Sequence, residues 1–154
     1  MNYECRVVVE PQKSVLYIHT TSSVQDLPMV LGRCYGEIMT YMHEKHISAH
    51  GAPYVAYYNM DMDNLDIDVG VPVDTLVESN QSNIKCGTIP SGNYVSTLHV
   101  GPYNKIESAY KALITYIEES GVRSTGAAYE YYLNDPQETP ESELQTQVLF
   151  KLID

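Results

Sequence analysis

The chain has no tryptophan and one phenylalanine, against 14 tyrosines. Its aromatic faces are therefore almost all tyrosine: flat, apolar and tipped with a hydroxyl, which suits a ligand-contacting wall as well as a small core. Basic residues are also few, with 9 Lys plus Arg against 20 Asp plus Glu, a net charge of -11. That balance repels phosphate backbones and anionic membranes, so direct nucleic-acid binding is not expected. Cationic ligands or partners are favoured, although acidic surfaces also serve solubility. The three cysteines, Cys5, Cys34 and Cys86, show no C-x-x-C spacing. An odd, scattered trio excludes a disulfide framework or a zinc site and fits a cytoplasmic protein with free thiols. No apolar run approaches the ~18 residues of a membrane span, and the N-terminus has no signal-peptide pattern.

What is present is ordinary for a soluble globular domain: 154 residues, 44% hydrophobic and 19% charged. That length carries one domain with a real core. Within it the sequence repeats. "GAPYVAYYNMD" (51–61) and "GAAYEYYLNDP" (126–136) each open Gly-Ala, place Tyr three and six positions after the Gly, and close with Asn and Asp. The period of about 75 residues is too long for a solenoid unit and fits two copies of one supersecondary unit.

Each copy reads as β-α-β-β. In the first, "KSVLYIHTT" is strand-like. Leu27, Leu31, Cys34, Ile38 and Tyr41 form a helical stripe, with Asp26 as the expected cap and Pro28 just inside. Strands follow near 54–59 and 65–73. In the second, "NYVSTLHV" is a strand and Ile106, Tyr110, Leu113 and Ile117 form the helix stripe. Strands near 128–133 and 144–152 complete it. The expected organisation is a single domain over 1–154, with repeat 1 at about 1–76, a polar joint at about 77–87 and repeat 2 at about 88–154. The expected fold is α+β: an antiparallel sheet with helices on one face and a ligand cleft between pseudo-symmetric halves.

Period-2 alternation sorts strand residues onto faces. Leu65, Ile67, Val69, Val71 and Val73 share one side and are expected to face the helix; Asp66, Asp68 and Gly70 share the other, and Gly70 leaves room above the backbone. If the larger residues of each strand pack under the helices, the helix-free side holds Val55, Tyr57, Asp68, Gly70, Glu130, Tyr132 and Gln147. Glu130 then becomes the acid of a tyrosine-walled cleft. A solvated sheet face explains the same pattern, and alternation alone leaves both readings open.

"HVGPY" (99–103), "YEYYLNDPQETPESEL" (129–144) and "TQV" (146–148) on a duplicated β-α-β-β frame resemble the GyrI-like small-molecule-binding domain. This is the fold of the effector-binding domains of AraC- and MerR-type multidrug regulators. The resemblance covers nearly the whole chain and is most specific over 99–148. It implies transcription-linked small-molecule binding, with lipophilic, cationic aromatic compounds held in an aromatic cleft that contains an acid. Carried over, it assigns ligand contact to Glu130, Tyr129, Tyr132, Tyr57, Tyr54, Asp68 and Gln147, and needs no cofactor or metal. The family commonly has Trp-Glu-x-Tyr where this chain has Tyr129-Glu130-Tyr131-Tyr132, and Thr-Glu-Val/Ile where it has Thr146-Gln147-Val148; Asp68 is the expected second acid. Some stand-alone relatives hydrolyse cyclopropane-type electrophiles, which would make Glu130 catalytic. Gyrase-inhibiting relatives suggest a third role, docking of the acidic face on a basic protein partner. With the first strand expected so near residue 1, the chain reads as a free-standing copy without a helix-turn-helix.

Other motifs rank lower. The five histidines make no metal spacing. His99 is expected to stabilise the strand-to-helix turn, with a rim contact as the alternative; Tyr103, at the start of the helix, is expected to pack, with a reach to the cleft mouth as the alternative. "DMDNLDID" (61–68) lacks the Gly and closing Glu of a calcium loop.

Overall fold

The structure, a computed structural model, describes residues 3–74 and 83–153. Its strands are β1 (Arg6–Glu10), β2 (Lys13–Ser22), β3 (Tyr54–Tyr57), β4 (Leu65–Pro72), β5 (Lys85–Ile89), β6 (Gly92–Val100), β7 (Ser124–Tyr132) and β8 (Gln145–Leu152); its helices are α1 (Leu27–Lys45) and α2 (Glu107–Ser120). The fold is α+β with antiparallel pairing. Both β-α-β-β repeats are present, as β2-α1-β3-β4 and β6-α2-β7-β8. Each gains a leading strand, β1 or β5, that alternation in such short segments did not disclose. Residues 75–82, which include much of the polar joint, lie outside the described residues.

The chain forms two compact units. One runs from Gln12 to Pro90; the other takes the chain up to Pro11 and from Ser91 onward. The leading strands are exchanged between the repeats. β1 pairs with β6, beside the second repeat's strands, and β5 pairs with β2, beside the first's.

In the Gln12–Pro90 unit the strand order is β3-β4-β2-β5. Register puts Leu16 opposite Val71, Ile18 and Val55 opposite Val69, and Tyr57 opposite Ile67, so these residues share one face. Leu16, Val55, Ile67 and Val69 are fully buried, as are Cys34 and Ile38 of α1. This apolar face is the one α1 covers, since the opposite face carries Asp66 and Asp68. Asp26 occupies the N-cap position without a side-chain cap bond; the Ser23 hydroxyl instead accepts the Asp26 N–H at 3.1 Å.

The second unit has the order β1-β6-β8-β7. Three cross-strand rows define the face beneath α2. They are Val95–Phe150–Ala128, Thr97–Val148–Glu130 and His99–Thr146–Tyr132. Residues Tyr94, Ser96, Leu98, Gln147, Leu149, Tyr129 and Tyr131 point the other way, by the same registers. A 3-10 turn, Tyr103–Lys105, leads into α2.

Candidate functional site

Glu130 lies in the middle row, between the row of Phe150 and the row of His99. It is 7% exposed. The Tyr132 hydroxyl donates to its Oε1 at 2.9 Å, and the Tyr110 hydroxyl of α2 donates to its Oε2. Tyr110 also packs against Phe150, with ring centroids 5.6 Å apart. Among the described residues no lysine or arginine pairs with Glu130. Burial drives its pKa up; the two phenol donors, then the charge of His99, pull in the opposite direction. The result is a carboxyl that is hydrogen-bonded and, among the described residues, unpaired with lysine or arginine, in a burial that disfavours its charged form.

The outer wall is aromatic. The Tyr103 ring meets Tyr132 edge-on at 5.6 Å. Burial, then Asp135 and Glu130, raise the Tyr103 pKa, so its hydroxyl stays a donor. Behind it, buried His99 donates from Nε2 to the Pro102 carbonyl at 2.9 Å, which fixes the strand-to-helix turn as expected. Thr146, between His99 and Tyr132 in register, is wholly buried, and its hydroxyl has no hydrogen-bond partner among the described residues. Removing that hydroxyl while keeping the shape should relieve an unmet desolvation cost. We expect Thr146→Val to raise unfolding free energy by about 1 kcal/mol in urea denaturation.

The helix-free placement of Glu130 and Tyr132 is therefore corrected: both lie under α2. Alternation split the strand correctly, but the size of Tyr129 and Tyr131 pointed to the wrong side for the helix. Tyr129 and Gln147 lie on the opposite face, where Tyr129 packs edge-on to Tyr94 at 5.8 Å and Gln147 donates to Ser96 Oγ at 3.2 Å. Tyr54, Tyr57 and Asp68 belong to the Gln12–Pro90 unit. There Asp68 shares a face with Ala56 and Tyr54 rather than with Tyr57. It accepts from the Tyr58 hydroxyl and bonds His19 Nδ1, both at 2.7 Å, and His19 Nε2 reaches Asp66 at 3.0 Å. The repeat alignment itself holds: Ala56 pairs with Asp68 as Tyr131 pairs with Gln147, so Val55 stands at the position equivalent to Glu130. Sequence reasoning assigned Tyr110 to the core stripe alone; its hydroxyl, on a helix face aimed at a strand acid, was the missed signal. Among the described residues no group of three or more His, Cys, Asp or Glu could hold a metal.

No curated protein sequence matches the chain. The GyrI-like small molecule binding domain model matches residues 3–153. Among solved structures, the C-terminal domain of EcmrR superposes with TM-score 0.85 at 20% identity, over 100% of this chain and 99% of that one. EcmrR in complex with DNA superposes with TM-score 0.86 at 19% identity; 97% of this chain matches 57% of that longer chain. SAV2435 bound to tetraphenylphosphonium has TM-score 0.69 at 14% identity (99% and 94%), and a hydrolase from Listeria innocua 0.71 at 15% (97% and 92%). At these identities the superpositions establish the fold; with the family model spanning nearly every residue, the chain belongs to the GyrI-like small-molecule-binding domain family.

Proposed function

We propose that the chain binds a lipophilic, cationic aromatic compound at Glu130, with Tyr103, Tyr110 and Tyr132 as its aromatic surroundings. One observation carries this reading: a carboxyl 7% exposed, held by two phenols and, among the described residues, unmatched by lysine or arginine. A buried carboxylate without a counter-ion is costly. A bound cation removes that cost and gains about 0.5–2 kcal/mol over each ring face it meets. Solved SAV2435, a fold neighbour, holds such a cation, tetraphenylphosphonium.

The test is calorimetric titration with tetraphenylphosphonium at pH 5 and pH 7.5. Because burial raises the Glu130 pKa, protons compete with the cation at the lower pH. We expect saturable one-site binding, tighter at pH 7.5, with proton release wherever the free carboxyl is protonated. Absence of binding at both pH values would overturn the reading. A second reading, hydrolysis of an electrophile with Glu130 as general acid or base, draws on the same carboxyl-to-phenol contacts. Chemically altered ligand recovered after incubation, with turnover lost in Glu130→Gln, would favour it.

A further inference from the structure

We propose that Tyr3 latches the segment Gly101–Ser108 shut over the Glu130 site, so that the N-terminal strand segment sets how readily a ligand enters. The inference rests on the reading of Glu130 as the ligand's partner. Its geometry does not.

The Tyr3 hydroxyl sits 2.9 Å from His99 Nδ1 and 2.8 Å from Ser108 Oγ. Its ring stacks on the imidazole, with centroids 6.1 Å apart and planes 23° from parallel. The next residue is tied as well, since Thr97 Oγ1 donates to the Glu4 carbonyl at 2.9 Å. One side chain therefore joins the two ends of the segment: His99 holds the Pro102 carbonyl, and Ser108 donates to the Lys105 carbonyl at 3.0 Å. Tyr103, between them, is the residue whose ring closes on Tyr132 beside Glu130.

The network has fewer hydrogens than contacts to fill. The contacts at Pro102 and Lys105 are made to carbonyl oxygens, so His99 Nε2 and Ser108 each spend a hydrogen there. With its hydrogen on Nε2, His99 offers Nδ1 as an acceptor for the Tyr3 hydroxyl, which has one hydrogen for its two contacts. Ser108 then divides its own hydrogen between Tyr3 and the Lys105 carbonyl. The four contacts thus act as one network, and removing a single hydroxyl loosens more than one of them. Gly101 supplies the pivot. Its φ of +134° is open to glycine and strained for other residues, and its N–H is fixed to the Leu144 carbonyl at 2.8 Å.

A ligand that enters only the open form binds with an affinity reduced by the fraction of molecules open. Tyr3→Phe keeps the stacked ring and removes the hydroxyl, so the open fraction should rise about three- to tenfold. Two readouts test this in the intact chain. Carbodiimide labelling of Glu130, followed by mass spectrometry, should accelerate by that factor while exposed Glu107 stays constant. Stopped-flow association of tetraphenylphosphonium should accelerate equally with an unchanged off-rate. Ser108→Ala should repeat both effects, and Ser108→Thr, which keeps the hydroxyl, should not. Unchanged Glu130 labelling in Tyr3→Phe would overturn the latch. So would faster labelling spread evenly over buried carboxyls, or faster labelling without faster association. Failure of the native chain to bind tetraphenylphosphonium would instead sink the cation reading, and Glu130 labelling would still decide the latch.

Discussion

Glu130→Gln is expected to weaken tetraphenylphosphonium binding about 100-fold and, at the same time, to make the ligand-free protein more stable at neutral pH. The two effects have one origin. The native carboxyl is buried, and its pKa is raised chiefly by that burial. Losing one partner of a desolvated charge pair costs about 2–5 kcal/mol, and a 100-fold loss corresponds to about 2.7 kcal/mol. In the free protein the sign reverses. A carboxyl whose folded pKa lies above its unfolded value holds more protons folded than unfolded. Native stability from this group is therefore fully present below the unfolded value of about 4.3 and declines as pH rises through the folded value. The amide has no such decline. Thermal melts of both proteins should nearly coincide at pH 4, with the variant's Tm moving progressively above the native as pH rises. The amide oxygen still accepts from one phenol, and the amide nitrogen requires the other to turn from donor to acceptor, so both hydroxyl contacts survive. A variant that binds the cation as tightly as the native chain, or whose advantage in Tm ignores pH, would remove Glu130 from the role assigned to it.

Much of this arrangement is legible in the residues themselves. The duplication at Gly51 and Gly126, the two helix stripes and the alternation in 65–73 all act within one element, and their register equivalence survives in the folded chain. The sidedness of β7 is different. Tyr129, Tyr131 and Glu130 alternate cleanly, but which side a helix covers depends on α2, which lies elsewhere in sequence. Tyr110 settles it through its hydroxyl on Glu130. A tyrosine in an apolar stripe shows its ring to periodicity and conceals where its oxygen goes. The same limit hid the Tyr3–His99–Ser108 contacts, whose members lie 96 and 105 residues from Tyr3 in the chain. It also hid the exchange of β1 and β5, because five-residue edge strands carry little period and their partners lie far along the chain.

Gly70→Ala separates the sequence reading of that glycine from the structural one. Read from alternation, Gly70 leaves open space for a ligand, and an added methyl would cost binding alone. In the folded unit the space is already taken. Gly70 pairs with Tyr54, and a Cβ at Gly70 would lie 2.7 Å from the Tyr54 hydroxyl oxygen, 2.8 Å from Tyr54 Cε1 and 2.6 Å from the Leu16 carbonyl oxygen. The Tyr54 ring is 2% exposed and has little room to swing away. The Leu16 carbonyl belongs to β2, paired with β4 from Val15 to Ser22, so it retreats only by straining that ladder. Overpacking of this kind costs about 3 kcal/mol, a drop in Tm of about 10 °C for a chain of this size. Adding Tyr54→Phe should restore only part of the loss, because it removes the hydroxyl contact and leaves both the ring carbon and the backbone oxygen in place. Native stability in Gly70→Ala, with weaker ligand binding, would return the space above Gly70 to the ligand; the loss of stability expected here gives it to Tyr54.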